Sequence, residues 1–200
     1  MAKSDSAFIS LLAHADFPSQ GVRRIAARAE LVGPDSLRLQ YRLEADPLLV
    51  RLPPPVADAG RTDKLWAHTC FEAFIGPADS PRYLELNFSP SGQWAAYRFD
   101  SYRQGMAPVL DAAPRLALQR SAEGLELLAE VRLSGCVPAP GAALEASGQR
   151  LRVALSAVVE DREGRLSYWA LRHPPGRPDF HHPESFSLAL ELSTHSLDCA

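Results

Sequence analysis

Residues able to hold or transform a small molecule gather in two stretches of the chain, 65–103 and 166–182. In the first, period-two alternation sets Glu72 between Phe71 and Ala73, which turn inward with Ile75. Glu85 and Asn87 fall opposite Leu84, Leu86 and Phe88, and Trp94 and Arg98 fall opposite Ala95, Tyr97 and Phe99. The connection Pro90-Ser91-Gly92 is short, so the strands on either side of it pair as a hairpin. Three adjacent strands then place Glu72, Glu85, Asn87, Trp94 and Arg98 on one outer face. That face reads in two ways. It is a solvated surface laced by cross-strand ion pairs such as Glu85–Arg98. Alternatively it is a ligand platform, in which an indole ring meets the C–H face of a sugar while carboxylate, amide and guanidinium groups bind its hydroxyls. Glu72 and Glu85 also have the residue types of a glycoside-hydrolysing pair, and paired strands would hold them about 5–7 Å apart, a spacing that a plain ladder shares.

In the second stretch Trp169, Leu171 and His173 share one strand face, and Tyr168 and Arg172 the other. One reading brings Trp169 and His173 to the ligand; the other makes Trp169 a core anchor, the commoner fate of a strand tryptophan. His181 and His182 suggest a metal, but adjacent residues of a strand point apart and cannot share one ion. Loop histidines that cap backbone account for them, and no metal is expected.

The commoner chemical signatures are missing. No glycine-rich dinucleotide or phosphate loop, HExxH, GxSxG or EF-hand loop occurs. Cys70, Cys136 and Cys199 are widely spaced, without a CxxC, so neither a disulfide framework nor a zinc site is expected. Lys plus Arg number 21 against 24 Asp plus Glu, a net charge of -3, which offers nothing to nucleic acid or an anionic membrane. The apolar run 8–13 is too short to span a bilayer, and Met1-Ala-Lys-Ser-Asp-Ser lacks the character of a signal peptide. A cytoplasmic protein is expected.

The elements that must position these residues are strands. Leu37, Leu39, Tyr41 and Leu43 alternate with Arg38, Gln40, Arg42 and Glu44. Similar apolar lines run through Leu125–Leu133, Leu151–Val159 and Phe186–Leu192. Further strands are predicted over 7–13, 22–32, 70–75, 82–89, 93–100, 115–120 and 166–173, separated by turn signals such as Gly33-Pro34-Asp35 and Glu163-Gly164. Seventeen prolines leave little room for helix beyond single turns at 101–106 and 142–146. At 46% hydrophobic residues the chain can bury a substantial core. The expectation is an all-β protein: one β-sandwich domain over 1–200, jelly-roll or immunoglobulin-like, with about eleven short strands. The proline-rich stretch 46–64 is long for an idle loop and is either a site rim or a rigid crossover.

The motifs LWAHTCFEAFI, YLELNFSPSGQWAAYRFDSYRQGM and LSAVVEDREGRLSYWALRHPPGRPDFHHPESF, in that order, resemble the uncharacterised bacterial DOMON-like proteins. That group is related in fold to family 9 carbohydrate-binding modules. In those modules two tryptophans clamp a terminal sugar, and one lies six residues before a binding glutamate. Trp66 and Glu72 match that spacing, Trp169 takes the place of the second clamp, Asn87 that of an amide ligand and Arg98 that of an arginine ligand. The resemblance implies a non-catalytic module for a sugar or sugar derivative, with Trp66, Glu72 and Trp169 converging in one cleft at the sandwich edge. A sugar phosphate or nucleotide sugar would engage Arg98 or Arg172 with its anionic part. A glycoside-active enzyme and a protein-interaction module are the alternatives. Some DOMON relatives bind haem through Met and His. This chain has only Met1 and Met106, and no haem or other cofactor is expected.

Overall fold

The computed structural model describes residues 7–33, 35–133 and 150–191. Their strands, in chain order, are β1 (Ile9–Ser10), β2 (Leu12–Ala13), β3 (Val22–Leu31), β4 (Ser36–Ala45), β5 (Val50–Arg51), β6 (Cys70–Pro77) and β7 (Tyr83–Phe88). There follow β8 (Trp94–Phe99), β9 (Ala107–Pro108), β10 (Arg115–Ser121), β11 (Gly124–Arg132), β12 (Arg150–Asp161), β13 (Leu166–Ala170) and β14 (Leu188–Glu191). Two single 3-10 turns, Leu65–Ala67 and Pro183–Ser185, are the helical elements among the described residues.

The strands form two sheets that pack as an all-β sandwich. The first runs β1-β3-β4-β11-β10, and the second β2-β13-β12-β6-β7-β8-β9, with β5 and β14 also paired to β12. The first sheet is built as its alternation dictates. Leu37, Leu39, Tyr41 and Leu43 of β4 are buried against the second sheet. The intervening side chains face outward, where Arg38 pairs with Glu30 and Glu130, and Arg42 with Glu126. Such half-exposed pairs contribute little each, and the register rests on the apolar face.

The second sheet differs, because β6 and β7 are buried along their whole length and β8 at every residue except Arg98. Phe71, Ala73 and Ile75 with Leu84, Leu86 and Phe88 meet the first sheet. Cys70, Phe74, Tyr83, Ala95, Tyr97 and Phe99 lie on the other face in a second apolar cluster. That cluster is roofed by Leu65 of the first 3-10 turn and by Phe180 of the segment between β13 and β14. A sheet covered on both sides explains why these strands read as nearly continuous apolar runs.

Several expectations change in detail. The predicted strand 7–13 is split at Leu11: β1 joins the first sheet and β2 the second, so the chain crosses the sandwich edge there. Stretch 46–64 is a crossover in contact with the sheet, since it contains β5 and Arg61 bridges to Trp94. No helical turn forms at 101–106, because Arg103 (φ 54) and Gly105 (φ 69) adopt left-handed conformations. The strand count exceeds about eleven through two-residue strands too short to show a period. Cys136, Cys199, Met1, Leu192 and the turn expected at 142–146 lie outside the described residues.

Candidate ligand-binding site

The outer face of the second sheet is not fully roofed. Between the 3-10 turn, the 100–106 turn and the segment after β13 lies a cavity of about 450 Å³. Trp66, Phe99, Tyr168 and Phe180 give it aromatic walls, Glu72 and Glu85 line it from the sheet, and Arg103 and His181 stand at its side.

Local structure fixes each of these groups. Lys64 takes a left-handed conformation (φ 61), which starts the 3-10 turn and presents Trp66 while Leu65 is buried. The indole packs edge-on to Tyr97, with ring centroids 5.7 Å apart. The Tyr97 hydroxyl donates to Asp63, whose carboxylate also accepts from Arg61 at 2.7 Å. Glu72 is placed by β6: its backbone carbonyl accepts from the buried Tyr41 hydroxyl at 2.6 Å, a bond that crosses the inter-sheet core.

Glu85 sits in a directed network. Its Oε1 accepts from Asn87 Nδ2 at 2.7 Å, and the Cys70 thiol donates weakly to Asn87 Oδ1 at 3.7 Å. On the other side the Arg103 backbone N–H donates to the Tyr83 hydroxyl at 3.1 Å. The Tyr83 hydroxyl also shares a hydrogen bond of 2.9 Å with His181 Nδ1, and His181 Nε2 lies 3.6 Å from Glu85 Oε2. The Arg103 guanidinium pairs with Asp179 at 2.8 Å.

Burial governs the charges. Glu72 and Glu85 are only 3% and 4% exposed. Burial pushes the Glu85 carboxyl up to about 7, against smaller pulls downward from Asn87 and Arg103. Glu72 is raised well above the usual carboxylate range, first by burial and then by the charge of Glu85. His181 is depressed to about 4, chiefly by burial and further by Arg103. Among the described residues Glu72 Oε1 has no hydrogen-bond partner, nor does Ser156 Oγ, whose residue is the register partner of Glu72 on β12. Buried carboxyl oxygens are seldom left in that state without something to receive.

The structure brings Trp66, Glu72 and Glu85 to one cavity and puts Asn87 beneath it as the support of Glu85. Other expected site residues lie elsewhere. Trp94 and Arg98 were expected beside Glu85, but the register pairs Glu85 with Tyr97, Phe88 with Trp94 and Leu84 with Arg98. Opposite residues of an antiparallel pair share a face, so Trp94 points into the inter-sheet core and Tyr97 takes its place outside. Arg98 is exposed, and no Glu85–Arg98 pair forms. Alternation cannot tell the two faces of a strand apart when both are buried. Trp169 is likewise a core residue, its Nε1 donating to Ser167 Oγ at 3.1 Å, so it does not converge with Trp66 and Glu72. His173 borders a separate shallow recess, where its ring meets His14 at 4.9 Å and its Nε2 bonds the Leu12 carbonyl at 2.9 Å. Tyr168, Phe99, Arg103, Phe180 and His181 were not read as site residues. Tyr168 was detectable as the neighbour facing opposite to Trp169; Arg103 and Phe180 lie in aperiodic segments without such a signal.

No family model matches the chain, and no curated protein matches it. Among solved structures it is similar to the crystal structure of a "putative carbohydrate-binding protein" from Bacteroides uniformis ATCC 8492. The two share 16% sequence identity with a TM-score of 0.69, over 92% of this chain and 85% of the other. At that identity the likeness is one of fold.

Chemically, the cavity can do two things at once. Its aromatic walls receive an apolar ring face, and its floor offers carboxyl oxygens to hydrogen-bond donors. Groups that are acceptors when ionised and donors when protonated suit a ligand rich in hydroxyls or bearing a cation.

Proposed function

We propose that the protein is a non-catalytic binding module for a sugar or sugar derivative, held in the outer-face cavity. The observation that carries this reading is the aromatic-walled cavity of about 450 Å³ floored by Glu72, whose buried Oε1 has no partner among the described residues. In this reading Trp66 stacks on the sugar ring, with Tyr168 and Phe180 closing the sides. Glu72 and Glu85 bind the hydroxyls and Asn87 holds Glu85 in position. Arg103, rather than Arg98, is the nearby guanidinium. The fold shared with a protein described as "putative carbohydrate-binding" supports this assignment, as do the Trp66–Glu72 spacing, which resembles that of family 9 carbohydrate-binding modules, and the motif order, which resembles that of a DOMON-like domain. We assign the two sheets to one such domain.

Calorimetric titration with a panel of monosaccharides and their derivatives tests the proposal. At least one should bind in the millimolar range or tighter, and Trp66→Ala should weaken it about 10- to 100-fold while leaving thermal unfolding unchanged. Binding that survives Trp66→Ala intact would remove the site from this cavity. A panel with no binder would make a protein partner the better reading of this face.

A further inference from the structure

The cavity floor is lopsided in its chemistry. It presents two carboxyls, and several of the polar groups around them are engaged with one another. Asn87 Nδ2 is spent on Glu85 Oε1, the Tyr83 hydroxyl and His181 Nδ1 bond each other, and the Arg103 guanidinium pairs with Asp179. His181 Nε2 stands 3.6 Å from Glu85 Oε2, beyond a good hydrogen bond. Glu72 Oε1 and the adjacent Ser156 Oγ have no partner among the described residues. The floor therefore sets two buried carboxyls against few uncommitted donors and a single guanidinium already paired with Asp179, while the walls of Trp66, Phe99, Tyr168 and Phe180 offer ring faces that attract cations.

We propose that the ligand presents an ammonium group to Glu72 and Glu85, so that the sugar held here is an amino sugar. This deepens the sugar-binding reading and rests on it. An ammonium carries three N–H donors and a compact charge, whereas a hydroxyl brings one donor and none. Charge-assisted bonds to a carboxylate are roughly twice as strong as neutral ones. The ring that carries the ammonium keeps an apolar C–H face for Trp66.

The same charge balance adds a second signature. The titratable groups nearest the pair are Cys70 on β6, Tyr83 on β7 and Tyr97 on β8, with Tyr41 reaching from the first sheet. Arg103, Asp179 and His181 face it from the covering segments. Of the cations, Arg103 is occupied by Asp179 and His181 is kept neutral by burial, so an incoming ammonium is the counter-ion that draws protons off the carboxyls. Binding near neutral pH should release protons to the buffer.

The test is calorimetry near neutral pH with glucosamine, N-acetylglucosamine, glucose and cyclohexylammonium, repeated in buffers of different ionisation heat. The expected result is glucosamine binding about tenfold or more tighter than the two neutral sugars, with proton release. Glu72→Gln should erase the preference, and Glu85→Gln should reduce it should the first variant fold poorly. Equal affinity for all three sugars would overturn the amino-sugar inference and leave sugar binding standing. Cyclohexylammonium binding with no sugar binding would overturn both the amino-sugar identity and the sugar-binding reading, and silence from all four compounds would do the same.

Discussion

Replacing Glu85 by Gln should stabilise the protein, by an amount that grows with pH. The buried carboxyl holds its proton up to about pH 7, against an ordinary value of 4.5 in the unfolded chain. Between those values the folded state binds more protons than the unfolded one, so stability falls as pH rises. At about 1.4 kcal/mol per pH unit, the loss accumulates to about 3 kcal/mol by pH 7 and is constant above it. His181 acts with the opposite sign. Its ring is kept neutral down to about pH 4 instead of 6.5, so its contribution is lost as pH falls through that window. Glu72, raised well above the usual carboxylate range, adds a slope of the same sign as Glu85 in both proteins, so the contribution of Glu85 is read from the difference between variant and parent. Glu85→Gln retains the acceptor for Asn87 and removes the slope that Glu85 contributes. Urea unfolding at a series of pH values measures both proteins. The variant should match the parent near pH 4.5 and exceed it by about 3 kcal/mol at pH 7, within a factor of two. A difference that is flat with pH, or that favours the parent at pH 7, would refute the account of a carboxyl kept neutral by burial.

Two further outcomes follow from the same geometry. Trp169→Ala should cost about 3–5 kcal/mol of stability, because it empties a core position. It should change sugar affinity less than about twofold at a temperature where the variant is folded, since it acts at a separate site; denaturant titration and calorimetry read the two effects. Cys70 is fully buried with its thiol pushed well up by that burial, so peptide mapping after maleimide treatment should find it unlabelled until denaturant is added.

How much of this was legible depended on which faces of a strand meet water. The first sheet could be read from residues alone: Arg38 and Arg42 alternate with Leu37, Leu39, Tyr41 and Leu43, and only one set can be buried. In the second sheet both faces are covered, so the alternation of Trp94 and Tyr97 carries no sign, and Tyr97 faces outward where Trp94 was expected. Trp169 was ambiguous for the same reason. Trp66 and Glu72 could be paired because only five residues separate them, from the middle of a 3-10 turn to the third residue of β6, so local structure alone brings them together. Phe180, His181 and Arg103 meet the cavity through long-range packing of segments rich in proline and turns, for which no period exists to be read. The register that sets Glu72 beside Asn87 and Ser156 depends on strand order, which pattern alone does not specify.

The central claim is that ligand meets the outer-face cavity at Trp66 and leaves the inter-sheet core untouched. The chain has three tryptophans, each with one indole N–H, and the other two, Trp94 and Trp169, face the core. Nuclear magnetic resonance of the indole N–H signals, assigned by single substitution, follows all three during titration with the tightest-binding sugar. The account predicts that the Trp66 signal moves with saturation while those of Trp94 and Trp169 stay in place. A shift of the Trp169 signal as large as that of Trp66, or a saturable shift that spares Trp66, would contradict it.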